Sequence, residues 1–247
     1  MNLILLSPSD FVRDFSFAVL TGRRHQHVLE ILKPKVNDVL VVGALNGRMG
    51  EGRVVKINDK ALELEVVLSQ DPPRKLDVVL CVALMRPIVL KRVLQTASAM
   101  GVPEIHLFHS RQVEKSFWQS TALASEAIRE ELILGLEQAK DTILPIVHIH
   151  KRFKPFVEDV LPGLLKRRQG IVADPSGEIL EAPGTRHKTQ GSCVLCPVPS
   201  VLLIGPEGGF IPYEIEKFRE AGCCVVGLGE RILKVETAIV ALLAKMF

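Results

Sequence analysis

Two segments near the C-terminus, LIGPEGGF at residues 203–210 and LGERILKVETA at residues 228–238, decide the fold of this chain. Each follows a short run of apolar residues and leads into a helical pattern, with Pro212 where the first turn of a helix tolerates proline. Strands that end in glycine-bearing turns before helices are typical of an open α/β sheet, in which ligands lie beyond the carboxyl ends of the strands. The two segments therefore predict a ligand site formed by two consecutive loops.

Neither loop has a pattern that cradles phosphates. A P-loop requires GxxxxGK[ST] and a dinucleotide site requires GxGxxG, and the two segments fit neither pattern. Glycine has no Cβ, so a backbone that contains Gly205, Gly208 and Gly229 can approach a ligand closely. We therefore expect a ligand held largely by backbone amides and carbonyls, although either loop taken alone could be only a turn between a strand and a helix.

The α/β pattern extends from these loops back to residue 76, which places one domain at residues 76–247. We predict strands at 78–84, 104–109, 143–148, 170–174, 200–204 and 223–228, and helices at 89–100, 119–139, 156–168, 213–221 and 235–246. Apolar strands that alternate with helices indicate an α/β fold with a largely parallel sheet. The many Pro, Gly and Ser residues at 175–199 predict a long surface excursion.

Residues 1–70 have a different pattern, with short runs of Val, Leu and Ile at 39–42, 52–57 and 62–68. A helix is predicted at about residues 24–32, and the dipeptide Asn46-Gly47 favours a type I′ hairpin turn. The polar, proline-containing stretch at 69–75 follows as a stiff linker. These features predict a small β-barrel domain ahead of the α/β domain.

Composition fits a soluble globular protein, since 47% of the 247 residues are hydrophobic and 24% are charged. The net charge of +3 is too mild to identify a nucleic-acid binder by itself. The apolar start at residues 2–6 is too short for a secretory signal, and no apolar stretch approaches the roughly 18 residues that span a bilayer. We therefore expect a cytoplasmic protein.

The five cysteines support a reducing compartment, because their number is odd and their neighbours are apolar. Cys193 and Cys196 have the spacing of a metal-binding pair, but the second pair of ligands that a zinc site requires does not accompany them. Cys223 and Cys224 are predicted to be small buried residues at the start of a strand. The sequence therefore predicts no metal.

The two C-terminal segments resemble the characteristic segments of the RsmE-type ribosomal RNA methyltransferases, which belong to the SPOUT superfamily. Weaker matches lie at residues 22–29, at Ser110-Arg111 and at Glu137-Gln138. The resemblance implies that S-adenosyl-L-methionine is the cofactor and that N3 of a uridine in 16S ribosomal RNA of the small subunit is methylated. It also implies a C-terminal α/β domain with a trefoil knot, an N-terminal PUA-like β-barrel and a homodimer.

The resemblance places the cofactor in the two loops. The residues implied are Leu203, Ile204, Gly205, Pro206, Glu207, Gly208, Gly227, Leu228, Gly229, Ile232, Leu233 and Thr237. N3 of uridine is a weak acid that must lose its proton before it attacks a methyl group, so a nearby cation or base lowers the barrier. Arg231 is the candidate for stabilising the developing uridine anion or its phosphate. Glu207 is the candidate base or orienting group, unless it only interacts with the dipole of the helix that follows.

RNA contacts are expected from basic residues of both domains, where phosphate contacts set affinity but not sequence choice. The candidates are Arg23, Arg24, His27, Arg86 and Arg111. For each of them, an ordinary solvated side chain is the alternative.

Departures from the family pattern keep other functions open. Thr96 and Ala99 stand where a lysine and a glutamate are usual, and Ala139-Lys140-Asp141 lacks the usual arginine. One alternative is a SPOUT methyltransferase that acts on a different RNA, and another is a catalytically inactive RNA-binding homologue. A third is an α/β enzyme with another nucleotide ligand.

Overall fold

A computed structural model describes residues 2–179 and 199–245 of the chain. The chain divides into two compact units, one of Met1–Arg74 with Leu132–Leu144 and one of Lys75–Glu131 with Pro145–Phe247. Most of the predicted surface excursion, including the pair Cys193 and Cys196, lies outside the described residues, as does the end of the last helix. Within the described part, no helix is both long enough and apolar enough to cross a membrane.

The first unit contains a six-stranded sheet. Its strands are β1 (Ile4–Leu6), β2 (Phe11–Arg13), β3 (Phe17–Leu20), β4 (Val39–Ala44), β5 (Met49–Ile57) and β6 (Leu62–Gln70). They are ordered β1-β4-β5-β6-β3-β2, with β1 parallel to β4 and every other pair antiparallel. Alternate residues of β6, such as Leu62 and Leu64, are fully buried in the core that the sheet covers. The predicted β-rich character of this region is confirmed, although β1, β2 and β3 were not predicted as strands.

The connections between the strands of this unit agree only in part with the sequence-based predictions. Helix α1 (Gly22–His27) continues as a π-helical turn at Val28–Leu32, so the helix predicted at residues 24–32 is present. Asn46 adopts a positive φ of 59°, but Gly47 does not, so the predicted type I′ turn is wrong. The loop is held instead by Thr142, whose hydroxyl donates to the Gly47 carbonyl and whose own carbonyl accepts from the Asn46 N–H.

The second unit contains a six-stranded parallel sheet, as predicted. Its strands are β7 (Val78–Ala83), β8 (Glu104–Phe108), β9 (Ile146–His150), β10 (Gln169–Ile179), β11 (Ser200–Ile204) and β12 (Cys224–Gly227). They are ordered β12-β10-β11-β7-β8-β9, and all neighbours run parallel. The central strand β7 is buried along its whole length, which explains its uninterrupted apolar sequence. Cys223 is buried just before β12, and Cys224 is the first residue of that strand.

Helices alternate with these strands. They are α2 (Pro87–Ala99), α3 (Ser125–Ala139), α4 (Phe153–Pro155), α5 (Leu161–Leu165), α6 (Pro212–Glu220) and α7 (Val235–Ala244). From Leu132 onward, α3 belongs to the first unit. A π-helical turn at Phe156–Val160 joins α4 to α5. The helix predicted from residue 119 begins only at Ser125, because residues 115–119 and 121–123 form 3-10 turns and Ser120 caps the second of them.

Strand β10 is longer than predicted and pairs with β12 up to the start of the loop that follows β12. Its pairing with β12 is interrupted between Ala173 and Glu178 and then resumes to Ile179. At Gly177 a Cβ would lie only 2.5 Å from the backbone nitrogen of Val226. Glycine is therefore required at this position for the two backbones to come this close.

Candidate active site

Two loops leave the same edge of the parallel sheet. Residues 205–211 connect β11 to α6, and residues 228–234 connect β12 to α7, while β10 lies between the two strands. Gly209 and Gly229 have φ of 72° and 116°, which L side chains rarely adopt. The glycines thus allow both loops to turn sharply at the carboxyl ends of their strands, where ligands of α/β sheets bind.

A cleft of about 690 Å³ lies between the loops, which is within the usual size range of small-molecule sites. The predicted residues that line it are Ile204, Gly205, Pro206, Glu207, Gly208, Leu228, Gly229, Arg231, Ile232, Leu233 and Arg86. The structure therefore brings both glycine-bearing segments and both proposed catalytic residues to one cavity.

Three of the predicted cofactor residues lie outside the cleft lining. Leu203 is fully buried within β11. Gly227 faces the neighbouring strand, since a Cβ there would lie 3.0 Å from the carbonyl oxygen of Gly177. Thr237 is exposed on the first turn of α7.

Sequence analysis missed the contribution of two other elements to the cleft. Helix α2 adds Val89 and Arg92, and β10 adds Ala173, Asp174 and Pro175. The other lining residues that were not predicted belong to β12, to α7 or to the two loops, and are Gly209, Val226, Lys234, Val235, Glu236 and Ala238. Strand β10 contributes because it is the neighbour of both loop-bearing strands, and α2 contributes because α7 returns to pack against it. Strand order is a non-local property, so no local sequence signal indicated either contribution.

The cleft combines opposite charges with exposed apolar surface. The guanidinium of Arg92 lies 3.9 Å from the Glu236 carboxylate, which joins α2 to the first turn of α7. Glu207 accepts a hydrogen bond of 3.1 Å from the backbone N–H of Arg86, the residue before α2. The side chain of Ile232 is 86% exposed. A ligand with an apolar ring and charged groups would therefore find complementary surface here.

The buried carboxylate of Glu214 holds the end of the loop at residues 205–211 by a hydrogen bond. Glu214 is 2% exposed and accepts hydrogen bonds from the Ser110 hydroxyl at 3.1 Å and from the N–H groups of Arg111 and Ile211 at 2.8 and 3.1 Å. It thereby joins the loop after β8 to the start of α6. This contact gives Ser110-Arg111 a structural role and places the side chain of Arg111 at an exposed position.

Glu214→Ala is expected to destabilise the chain by about 3 kcal/mol, because it leaves three buried or half-buried donors without their acceptor. Glu214→Gln is the matched control, since its amide oxygen preserves part of the acceptor set and should lose less. Urea unfolding of the wild type and both variants measures the difference. An equal loss in both variants would show that size and packing, rather than the hydrogen bonds, are what Glu214 supplies.

Two of the three RNA-binding candidates in the first unit, Arg23 and Arg24, are held in ion pairs. Arg24 donates to both carboxylate oxygens of Asp10, at 2.6 and 2.9 Å. Arg23 lies 2.9 Å from the buried carboxylate of Glu137. His27 has a buried ring nitrogen, Nε2, without a hydrogen-bond partner among the described residues. Their predicted role in RNA binding remains a prediction, and Arg24 in addition supports the fold of this unit.

Acid is expected to weaken the first unit through Asp10. Burial raises the pKa of Asp10, but hydrogen bonds from Arg24 and Ser7 outweigh it, so the pKa lies below the ordinary value of 3.8. A carboxylate with a lowered folded-state pKa contributes stability that is complete above its unfolded pKa and is lost as the pH falls through the folded pKa. Asp10→Asn should therefore lower the free energy of unfolding by about 2 kcal/mol at neutral pH. The loss should become progressively smaller as the pH falls below the ordinary pKa of an aspartate.

Urea unfolding of the wild type and Asp10→Asn between neutral pH and strong acid checks this expectation. Asp38→Asn serves as the control, because Asp38 accepts only an exposed backbone hydrogen bond from Lys35. A difference between wild type and Asp10→Asn that stays constant with pH would contradict the role assigned to the Arg24 ion pair.

The fold and the site together define an α/β protein with a small-molecule cleft at the carboxyl edge of a parallel sheet. The chain belongs to the RNA methyltransferase domain family, whose model matches residues 72–247.

Similar proteins narrow this class. The chain is 27% identical to the ribosomal RNA small subunit methyltransferase E of Treponema pallidum, over 98% of this chain and 88% of that protein. It is 24% identical to the ribosomal RNA small subunit methyltransferase E 1 of Borreliella burgdorferi, over 98% and 95% of the two chains. The crystal structure of ribosomal RNA small subunit methyltransferase E from Neisseria gonorrhoeae bound to S-adenosylmethionine shares the fold. It has a TM-score of 0.76, 20% identity, and coverage of 100% of this chain and 96% of that one. The resemblance to RsmE-type methyltransferases is confirmed.

Proposed function

We propose that this chain uses S-adenosyl-L-methionine to methylate N3 of a uridine in 16S ribosomal RNA of the small subunit. The observation that carries the proposal is the cleft formed by residues 204–209 and 228–236, which gathers the two loops on which the resemblance rests. The relatives named above act, by their names, on small-subunit ribosomal RNA. The structure from Neisseria gonorrhoeae contains S-adenosylmethionine in a chain of the same fold.

The cleft fits this cofactor in volume and in chemistry. S-adenosylmethionine supplies a methyl group activated by attachment to a sulfonium cation. Apolar lining from Ile204, Leu228 and Ile232 suits its adenine, and the glycine-bearing backbone offers amides and carbonyls to its polar edges. The carboxylates of Asp174 and Glu207 give the cleft negative charge that complements the cationic groups.

Arg231 and Glu207 are assigned different roles, the first in stabilising the uridine anion and the second in orienting groups of the site. Arg231 is exposed at the cleft and carries a permanent positive charge, which stabilises uridine as N3 loses its proton. Each unit by which that charge lowers the pKa of N3 in the site is worth about 1.4 kcal/mol. Glu207 already holds the N–H of Arg86, so we assign it the orienting role and not that of the base.

We further propose the trefoil knot that the resemblance implies. Helix α7 follows the edge strand β12 but pairs with α2 through Glu236 and Arg92, beyond β10 and β11 in the strand order. The chain after β12 therefore returns past the carboxyl ends of those two strands. This return supports a threaded C-terminus, which is rare among protein folds.

The remaining implications of the resemblance are a PUA-like identity for the first unit and a homodimer. The mixed six-stranded sheet of that unit is compatible with a small barrel. Sedimentation analysis of the full chain tests the homodimer, and a monomer at micromolar concentration would contradict it.

Transfer of label from S-adenosylmethionine to RNA tests the proposed function. Small subunits from a strain without its own uridine N3 methyltransferase, large subunits and transfer RNA are incubated separately with the chain, and their nucleosides are analysed. We expect 3-methyluridine in the small subunit alone. Label only in another RNA would overturn the substrate and retain the chemistry. Binding of RNA without methyl transfer would favour the catalytically inactive RNA-binding homologue. Displacement of S-adenosylmethionine by an unrelated nucleotide would favour an α/β enzyme with another nucleotide ligand.

A further inference from the structure

The second unit holds a cluster of histidines that the proposed methyl transfer does not use. Strand β8 carries Glu104 and His106 two residues apart, so both side chains lie on one face of the sheet. In the parallel pairing with the edge strand β9, His106 lies opposite His148, and Phe108 lies opposite His150. Four residues with metal-binding chemistry therefore share one face of two neighbouring strands.

Three of these side chains converge on one point. The Glu104 carboxylate oxygen Oε1 lies 2.9 Å from Nε2 of His106 and 3.4 Å from Nε2 of His148. One ligand atom from each of the three residues lies within 4.8 Å of the others. Two ligands that are each about 2.1 Å from a tetrahedral ion lie roughly 3.4 Å apart, so small side-chain adjustments suffice to surround one ion.

His150 supports this arrangement from the second layer. Its Nε2 lies 2.9 Å from Nδ1 of His106, and the two rings are stacked with their centroids 5.1 Å apart. The Glu104 carboxylate can only accept, so Nε2–H of His106 donates to it in the metal-free arrangement. A metal that replaces this proton leaves the imidazole proton on Nδ1, which then donates to Nε2 of His150. Metal-bound histidines commonly have such a partner on the second ring nitrogen, which fixes the orientation of the ring.

Burial differs among the ligands in a way that suits metal binding. His106 is 3% exposed, whereas the side chain of His148 is 44% exposed. An ion can therefore reach the cluster from solvent at the edge strand, while the buried ring provides a fixed anchor. Three protein ligands also leave a fourth position for water.

We propose that Glu104, His106 and His148 bind a divalent transition-metal cation of the zinc class, with His150 as a positioning residue for His106. Two imidazoles and one carboxylate are ligands that suit Zn²⁺ and Co²⁺ better than Ca²⁺ or Mg²⁺, which prefer oxygen. The sequence predicted no metal, because Glu104 and His106 are separated from His148 by about forty residues and become its neighbours only through the pairing of β8 with β9. The bound cation would tie the edge strand to the sheet.

Titration of the full chain with Co²⁺ after treatment with a chelator tests the site. Visible absorption reports nitrogen and oxygen ligands, and competition with Zn²⁺ gives its affinity. The parent background for all variants carries Cys193→Ser and Cys196→Ser, so that this cysteine pair cannot supply the signal. We expect one ion per chain, a loss of affinity of 100-fold or more in His148→Ala, and a loss of 10- to 100-fold in His150→Ala.

His27→Ala is the matched control, because His27 belongs to the other unit and should leave the affinity unchanged. Since His148 is half exposed, His148→Ala should keep the circular dichroism spectrum of the wild type. Thermal unfolding gives a second reading: Zn²⁺ should raise the Tm of the parent background and not that of His148→Ala. Absence of Co²⁺ binding, or equal binding in the parent and His148→Ala, would overturn the proposal.

Discussion

Arg231→Ala is expected to lower kcat for methyl transfer by about 10²- to 10³-fold, the usual cost of removing one group that stabilises a developing negative charge. The side chain is exposed at the cleft and makes no ion pair or hydrogen bond among the described residues, so its removal should leave folding and cofactor affinity almost unchanged. Initial rates at saturating S-adenosylmethionine and small subunits measure the effect.

The pH profile separates this role from simple RNA attraction. If Arg231 favours the N3 anion, the rate of Arg231→Ala should recover more steeply than that of the wild type as the pH rises, because hydroxide then assists deprotonation. Arg219→Ala is the matched control, since Arg219 is an exposed arginine on α6 outside the cleft. A rise in KM alone, with kcat and pH profile intact, would reassign Arg231 to RNA binding.

Gly229→Ala is expected to weaken the affinity for S-adenosylmethionine by about tenfold or more. The residue has a φ of 116°, and an alanine in such a conformation costs on the order of 1–3 kcal/mol. Apart from its two chain neighbours, no heavy atom of the described residues lies within 4 Å of the position that its Cβ would take. The effect must therefore come from backbone strain, which the loop can relieve only by changing the shape of the cleft.

Gly222→Ala provides the matched control for this substitution. Gly222 has a φ of 92° and an equally open Cβ position, but it ends α6 and lies outside the cleft lining. Both variants should lose a similar amount of stability in urea unfolding. Only Gly229→Ala should lose cofactor affinity, and equal losses of affinity in both would show that general destabilisation is the cause.

Local patterns in the sequence predicted much of the second unit. Strand β11 has the predicted limits, and α2, α6 and α7 begin within two residues of their predicted starts. The strand is an uninterrupted apolar run, the helices have an amphipathic pattern, and glycine or proline marks where these elements end. The ten cleft residues predicted from the two loops follow for the same reason, since each lies within a few residues of a strand end.

The features that sequence analysis missed depend on contacts between distant residues. Gly177 is required by the approach of β12, and Asp174 reaches the cleft because β10 lies between the two loop-bearing strands. Glu214 is a charged residue in a polar helical pattern, yet it is buried because Ser110, Arg111 and Ile211 surround it with donors. Neither strand order nor burial of a carboxylate can be read from a local pattern.

Calorimetric titration of the full chain with S-adenosylmethionine tests the central claim most directly, which is that the two glycine-bearing loops form the cofactor site. The account predicts one molecule bound per chain by the wild type and by Gly222→Ala, with clearly weaker binding by Gly229→Ala. Absence of binding to the wild type, or affinity that is the same in all three proteins, would contradict it.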